Sequence, residues 1–439
     1  MIISFFSHKG GVGRTMALAN IAYLLFQKGQ KVIMMDWDFE SPGLECFFGL
    51  NKNDLISQPG MSDLMNEFIS LNKNNSEKKR IKYPNIEDYL YPIDNSSGST
   101  AQLSLIHPGK RFSQKDMNKF VQFLLSFQFV SFYNDHSVNF FDWLSKELTC
   151  LSDVILIDSR TGFSETAGIG NFHMSDVVIL FSSTSAQNYQ GLKYIIEKLK
   201  QPELIKNRNN RPIETILVPA RYEPFESEML SKFEKEFYDT FKDHLPEQFK
   251  AGKKPEDKVL LDLGIPYVPY YSYGDQIAVK EGIETSKNKD LWHAYHKLLD
   301  RIERCYYNDL FIYYEKNDKD TCQLLVTELK KHRIKIWVDY ENIVSSDERL
   351  VNINKALKTS RYYLILFSQS YANKPKSLLN NYEDNAITMH INDNKRHNKS
   401  IVVLSDTTPC PSEFEGMIII DFVNQKFENA INQLIKHII

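Results

Sequence analysis

Three short segments carry residue types and spacings that could hold a phosphate and a cation. The first is Lys9-Gly-Gly-Val-Gly-Arg-Thr15, which follows a largely apolar run over 2–7 and opens a helical pattern from Thr15 to about Lys28. Gly10, Gly11 and Gly13 let backbone approach an anion and tolerate positive φ. The helix start adds unpaired N–H groups and a partial positive charge. Lys9 and Arg14 bring two cations, and Thr15 puts a hydroxyl where Mg²⁺ would be ligated. The second segment is Asp36-Trp-Asp38, at the end of Lys31-Val-Ile-Met-Met-Asp36. The third is Asp158, closing Asp153-Val-Ile-Leu-Ile-Asp158. Carboxylates at the ends of parallel strands point into a ligand crevice. The plain alternatives are a glycine turn that binds nothing and a capped turn made by Asp38 and Ser41.

The elements that must position these groups are strands buried on both faces, since the runs are apolar throughout rather than alternating. Further strands are expected over Leu103–Gly109, Asp176–Phe181, Thr215–Arg221 and Tyr267–Tyr271, with a helix from Gln187 to about Lys200. Gly60–Met65 reads as a capped helix start. The aromatic-rich stretch 113–148 is helical in pattern, and its rings are expected to face a core. Strand–helix alternation predicts an α/β fold with a doubly wound, mostly parallel sheet and right-handed crossovers.

The stretch Lys9–Thr15 resembles the deviant Walker A motif of the ParA/MinD-type ATPases, and the resemblance covers about residues 1–300. It implies that Lys9, Gly10, Gly11, Val12, Gly13, Arg14, Thr15 and Met16 bind ATP. Lys9 would reach across a nucleotide-sandwich dimer to the partner's phosphates. Asp38 would help position the attacking water and, with Thr15 and Asp158, hold Mg²⁺. Arg14 stands at the ordinary Walker lysine. Arginine is a bulky planar fork, so nucleotide binding with slow or absent hydrolysis is implied.

Around 301–308, expected to be a linker, the pattern restarts. Strands are expected over Asp309–Tyr314, Ile334–Asp339, Tyr362–Ser368, Ser400–Leu404 and Met417–Asp421. Helices are expected over Asp318–Lys331, Glu348–Lys358 and the C-terminus, with a polar loop over Tyr340–Asp347. Residues 309–439 resemble a bacterial TIR (Toll/interleukin-receptor) domain. The resemblance rests on Asp309-x-Phe-Ile-x-Tyr314, Ile336-Trp-Val-Asp339, Ala356-Leu-x-x-Ser360-Arg and Leu366-Phe-Ser368-x-x-Tyr371. It implies a smaller, flavodoxin-like parallel sheet. It also implies cleavage of the nicotinamide–ribose bond of NAD⁺ by one glutamate. Glu383 is the matching residue, with Asp384 the alternative carboxylate. Tyr313 and Tyr314 are the candidates to border the nicotinamide slot.

The whole chain narrows the classes. Its 439 residues allow two or three domains, and 53 basic against 56 acidic residues leave a net charge of −3, which speaks against nucleic acid as a partner. Five scattered cysteines suggest neither disulfides nor zinc and fit a cytoplasmic protein. No apolar run approaches the roughly 20 residues of a membrane helix, and no signal peptide is expected. The fusion suggests a nucleotide-gated effector of bacterial, antiviral defence. It would assemble with itself as a dimer or higher oligomer and answer to a protein trigger or a partner subunit from a defence operon. The other readings are a non-enzymatic TIR scaffold and a ParA-like positioning ATPase.

Overall fold

The computed structural model describes residues 1–73, 81–95, 101–128, 132, 138–162, 168–183, 185–208, 212–224, 227–245, 249, 259–281, 289–332, 334–342, 349–373, 387, 390–391 and 399–438. The chain divides into two compact units, Met1–Ile302 and Glu303–Ile439.

The first unit is built on eight strands: β1 (Ile2–Ser7), β2 (Lys31–Asp36), β3 (Tyr91–Asn95), β4 (Gln102–Ile106), β5 (Val154–Asp158), β6 (Val177–Ser182), β7 (Glu214–Tyr222) and β8 (Ile265–Pro266). They lie in the order β3-β4-β2-β5-β1-β6-β7-β8, parallel except for the β3–β4 pair. The central strands are apolar because both faces are covered. Ile33, Met35, Ile155 and Ile157 join one core, and Phe6, Val178, Leu180 and Leu217 the other. The 113–148 stretch folds as two helices, Gln114–Ser126 and Val138–Leu151, whose Phe120, Phe123, Phe140 and Phe141 share a core with Trp37, Phe141 lying edge-on to it. Sheet order sets the carboxyl ends of β2, β5 and β1 side by side, with Asp36 and Phe5 both in register with Asp158.

Several boundaries depart from expectation. Tyr267–Tyr271 is not the last strand. The edge strand is the two-residue β8; Tyr267 still donates its N–H to the Tyr222 carbonyl at 2.9 Å, and the chain then coils into a 3₁₀ turn, Pro269–Ser272. Pro266 and Pro269 lack the N–H a ladder needs, and proline suits the first position of a turn. The expected linker over 301–308 is helical through Tyr306, as the end of the helix Lys289–Tyr306. The helix begun at Gly60 runs on to Asn72.

That helix starts against the turn after β4. Met61 donates its N–H to the His107 carbonyl at 2.9 Å, and a Cβ at position 60 would meet that oxygen at 2.2 Å, so only glycine fits. The buried His107 ring lies between the Gln58 carbonyl, 3.0 Å from Nε2, and the Gly109 N–H, 3.2 Å from Nδ1. These partners fix the neutral tautomer with hydrogen on Nε2. Burial, reinforced by Arg111, lowers its pKa from 6.5 to about 4. The unfolded chain therefore takes up a proton below about pH 6.5 that the folded chain refuses. The stability is intact above that pH and falls as pH drops towards 4. Wild type should lose about 2 kcal/mol between pH 7 and pH 5 through this residue. His107→Gln keeps a donor and an acceptor, and should flatten that part of the slope in urea unfolding at the two pH values. An unchanged slope would remove His107 as its cause.

The second unit holds β9 (Asn308–Tyr313), β10 (Ile336–Trp337), β11 (Ser360–Phe367), β12 (Ser400–Leu404) and β13 (Ile418–Asp421), all parallel in the order β10-β9-β11-β12-β13. This is the flavodoxin-like order. Helices Lys319–Lys331 and Phe427–Ile438 bury Leu325, Leu329, Ile431 and Leu434 on one face. Helix Arg349–Lys358 buries Ile353, Ala356 and Leu357 on the other. β10 is shorter than the expected Ile334–Asp339, because Asp339–Asn342 coils into a helical turn at the start of the expected loop.

Candidate functional site

The glycine loop leaves β1 and enters helix α1 (Arg14–Gln27). Gly11 (φ 73°) and Gly13 (φ 82°) are left-handed, and Gly13 caps the helix. The first turn of α1 holds no acidic residue, so its positive end is not neutralised from within the helix. Gly10, Gly11 and Gly13 are exposed, Lys9, Thr15 and Met16 are half-buried, and Val12 is buried under the loop. The Ser7 hydroxyl donates to the Lys9 carbonyl at 2.8 Å and holds the loop's entry.

Arg14 turns inward. Its Nε donates to Asp158 Oδ1 at 2.6 Å, and its Nη2 lies 3.3 Å from Asp38 Oδ2. Thr15 Oγ1 donates to the other Asp158 oxygen at 2.7 Å. Thr15, Asp38 and Asp158 thus come together as the sequence suggests, but around an arginine only 7% exposed. Burial opposes the Arg14 charge. Asp158, then Asp38 and Asp36, more than offset it, so the pKa is raised and the cation is held.

Asp36 has a different task. It accepts N–H groups from Asp38 (3.1 Å), Gly43 (3.1 Å) and Leu44 (3.3 Å), and so shapes the loop that presents Asp38. Its pKa is pushed well up by burial first, then by Asp158 and Glu45. Asp38 Oδ1 accepts from the Ser41 N–H at 3.2 Å. The turn expected from Asp38 and Ser41 is therefore present in the same site as the salt bridge. Arg160 pairs with Glu40 at 2.6 Å on the surface, a contact worth about 0–1 kcal/mol.

Arg221, at the end of β7, was not singled out from sequence. It is a non-glycine residue in the left-handed region (φ 57°). Its Nη1 donates to the Gly11 carbonyl, and its guanidinium lies 5.0 Å over the Tyr267 ring. A non-glycine residue in that region costs about 1–3 kcal/mol, and such strain clusters at functional sites. A strand-end position was the one signal available.

In the second unit, Tyr313 and Tyr314 point to opposite faces, as neighbours in a strand do. Tyr313 packs edge-on to Tyr371 (centroids 6.0 Å), in the core that includes Ile387 and Ile391. Tyr314 donates its hydroxyl to Asp339 at 2.7 Å and belongs to the other core. Burial, then that contact, raises its pKa strongly. The two tyrosines do not share one slot. Ser368 caps the turn Gln369–Ala372, accepting the Tyr371 N–H, and donates to Asp318 at 2.6 Å. Glu383 and Asp384 lie outside the described residues.

Residues 1–215 match the family model of an AAA domain, and residues 310–435 that of a TIR domain. Over 92 residues the chain is 34% identical to the NAD(+) hydrolase TcpC of Escherichia coli O6:H1 (strain CFT073). That span is 19% of this chain and 30% of the relative, so the chain covers less than a third of that protein's length. Similar solved structures include a plasmid partition protein from Borrelia burgdorferi, at 17% identity and TM-score 0.41, over 69% of this chain and 97% of that one. The septum site-determining protein MinD with Mg-ADP from Pyrococcus horikoshii OT3 has 18% identity and TM-score 0.41, over 69% and 95%. The pNOB8 ParA bound to nonspecific DNA has 16% identity and TM-score 0.42, over 69% and 98%.

Proposed function

We propose that this chain, a ParA/MinD-like P-loop domain joined to a TIR domain, is a nucleotide-gated NAD⁺ hydrolase. The observation that carries the reading is the 34% identity of its TIR part to a protein named as an NAD(+) hydrolase. In the reaction, the bond between ribose C1′ and the nicotinamide nitrogen breaks and its electron pair leaves with nicotinamide. Water adds to C1′ and gives up a proton, yielding ADP-ribose. The leaving group is cationic in the substrate and needs no acid to leave. What the protein must supply is negative charge beside an oxocarbenium-like transition state. Glu383 supplies it, and the Tyr313 side of β9 borders the ring that departs.

The P-loop domain provides the switch. A nucleoside triphosphate held by Lys9–Met16 at the N-terminus of α1 favours self-association. Tethered TIR domains then meet at an effective concentration of about a millimolar. Only a ligand that binds the assembled state better shifts the population. Among the described residues no helix is long and apolar enough to cross a membrane, and five cysteines scattered along the sequence suit work in a reducing cytoplasm. A role in antiviral defence, with a protein trigger, completes the reading.

The test is nicotinamide release by the purified full chain, with and without ATP. Cleavage that ATP stimulates by about 5- to 150-fold is expected, the factor a coupling energy of about 1–3 kcal/mol supplies. Cleavage that ignores ATP would separate the two domains' functions.

A further inference from the structure

We propose that the Arg14 guanidinium takes the cation position in the phosphate site, so that this P-loop domain binds a nucleoside triphosphate without a divalent ion. The inference rests on reading the loop as a nucleotide site, and goes beyond it by removing the metal from that site.

The donor set decides it. Mg²⁺ in a phosphate loop is expected from Thr15, Asp38 and Asp158. Here each carboxylate oxygen of that set already faces a hydrogen-bond donor. Asp158 Oδ1 takes Arg14 Nε at 2.6 Å and Oδ2 takes the Thr15 hydroxyl at 2.7 Å. Asp38 Oδ2 takes Arg14 Nη2 at 3.3 Å and Oδ1 takes the Ser41 N–H at 3.2 Å. A dication placed among these oxygens would lie against the guanidinium. In a buried site that repulsion is poorly screened. The residues present therefore do not fit a resident Mg²⁺ while Arg14 stays where it is.

Arg14 is also suited to the substitution. A planar fork can hold two carboxylates at once and keep one edge for a third partner, which a lysine ammonium on a flexible stem does not do. The remaining edge, Nη1, has only a long contact of 3.4 Å to the Ser7 hydroxyl. That hydroxyl sits under the glycine loop, where it donates to the Lys9 carbonyl. Nη1 is thus the N–H group left to meet a phosphate oxygen arriving over Gly10–Gly13. One fixed cation and a helix N-terminus then face the triphosphate where a metal complex ordinarily would.

The experiment is calorimetric titration of the full chain with ATP, once with excess Mg²⁺ and once with excess EDTA. For wild type, the two dissociation constants should agree within about threefold, a difference under 1 kcal/mol. Arg14→Lys, which loses the fork, should bind at least about thirtyfold more weakly in EDTA than in Mg²⁺, a difference of about 2 kcal/mol. A wild-type affinity that itself falls about thirtyfold or more in EDTA would overturn the proposal and show that phosphate draws Arg14 off its carboxylates. Wild type alone decides this, so a variant that fails to fold does not rescue the idea. Absence of ATP binding in both buffers would sink the nucleotide site itself, and the inference with it.

Discussion

Glu383→Gln should release nicotinamide from NAD⁺ at least about a hundredfold more slowly than wild type, a loss near 3 kcal/mol of transition-state stabilisation. Glutamine keeps the size of the side chain and removes its charge. The substrate's nicotinamide is already a good leaving group, so little of the barrier depends on proton transfer. Most of it is the positive charge that gathers on the ribose as the bond lengthens, and a carboxylate at contact distance opposes that charge directly. The ATP-dependent assembly of the variant, followed by light scattering, should equal that of wild type. Cleavage at the wild-type rate would take the role from Glu383, and Asp384→Asn would then be the next variant to assay.

Lys9→Ala should abolish the ATP-dependent dimer, weakening self-association about thirtyfold or more, the cost of removing one partner from a desolvated charge pair. The two cations of the loop differ in this structure. Arg14 is fixed inside the domain by Asp158 and Asp38 and can serve only a phosphate of its own loop. Lys9 is half-exposed beside the open face of the loop, and its ammonium enters none of the ion pairs found among the described residues. Its charge is therefore available to a phosphate across an interface. The variant should still show a thermal shift with ATP, since binding to the native state raises stability by mass action. Its NAD⁺ cleavage should fall with its assembly. A stable ATP-dependent dimer of Lys9→Ala would remove Lys9 from the interface.

The parts of the fold that the sequence made legible are those where one local rule suffices. β1, β2 and β5 are covered on both faces, so their apolar runs announce them, and each ends in the loop or carboxylate that matters. The left-handed glycines of the loop follow from their type alone. What stayed hidden depends on distant partners. Arg14 reads from sequence as a phosphate ligand alone, and its second task, holding Asp158 144 residues away, is invisible there. Asp36 looks like a second ligand, yet it spends its oxygens on the backbone of Asp38, Gly43 and Leu44. Tyr267–Tyr271 has the aromatic content of a strand, but Pro266 just before it and Pro269 within it turn the chain away from the sheet. β3 is a polar edge strand carrying Pro92, and it joins the sheet only because β4 offers an antiparallel partner. The left-handed backbone of Arg221 leaves no mark in the sequence at all.

The most direct test of the central claim is nicotinamide release measured against concentration of the full chain, with and without ATP. If assembly completes the TIR pocket, activity per molecule rises with protein concentration, and ATP moves that rise to lower concentration. Activity per molecule that is constant across the series, with or without ATP, would contradict the account.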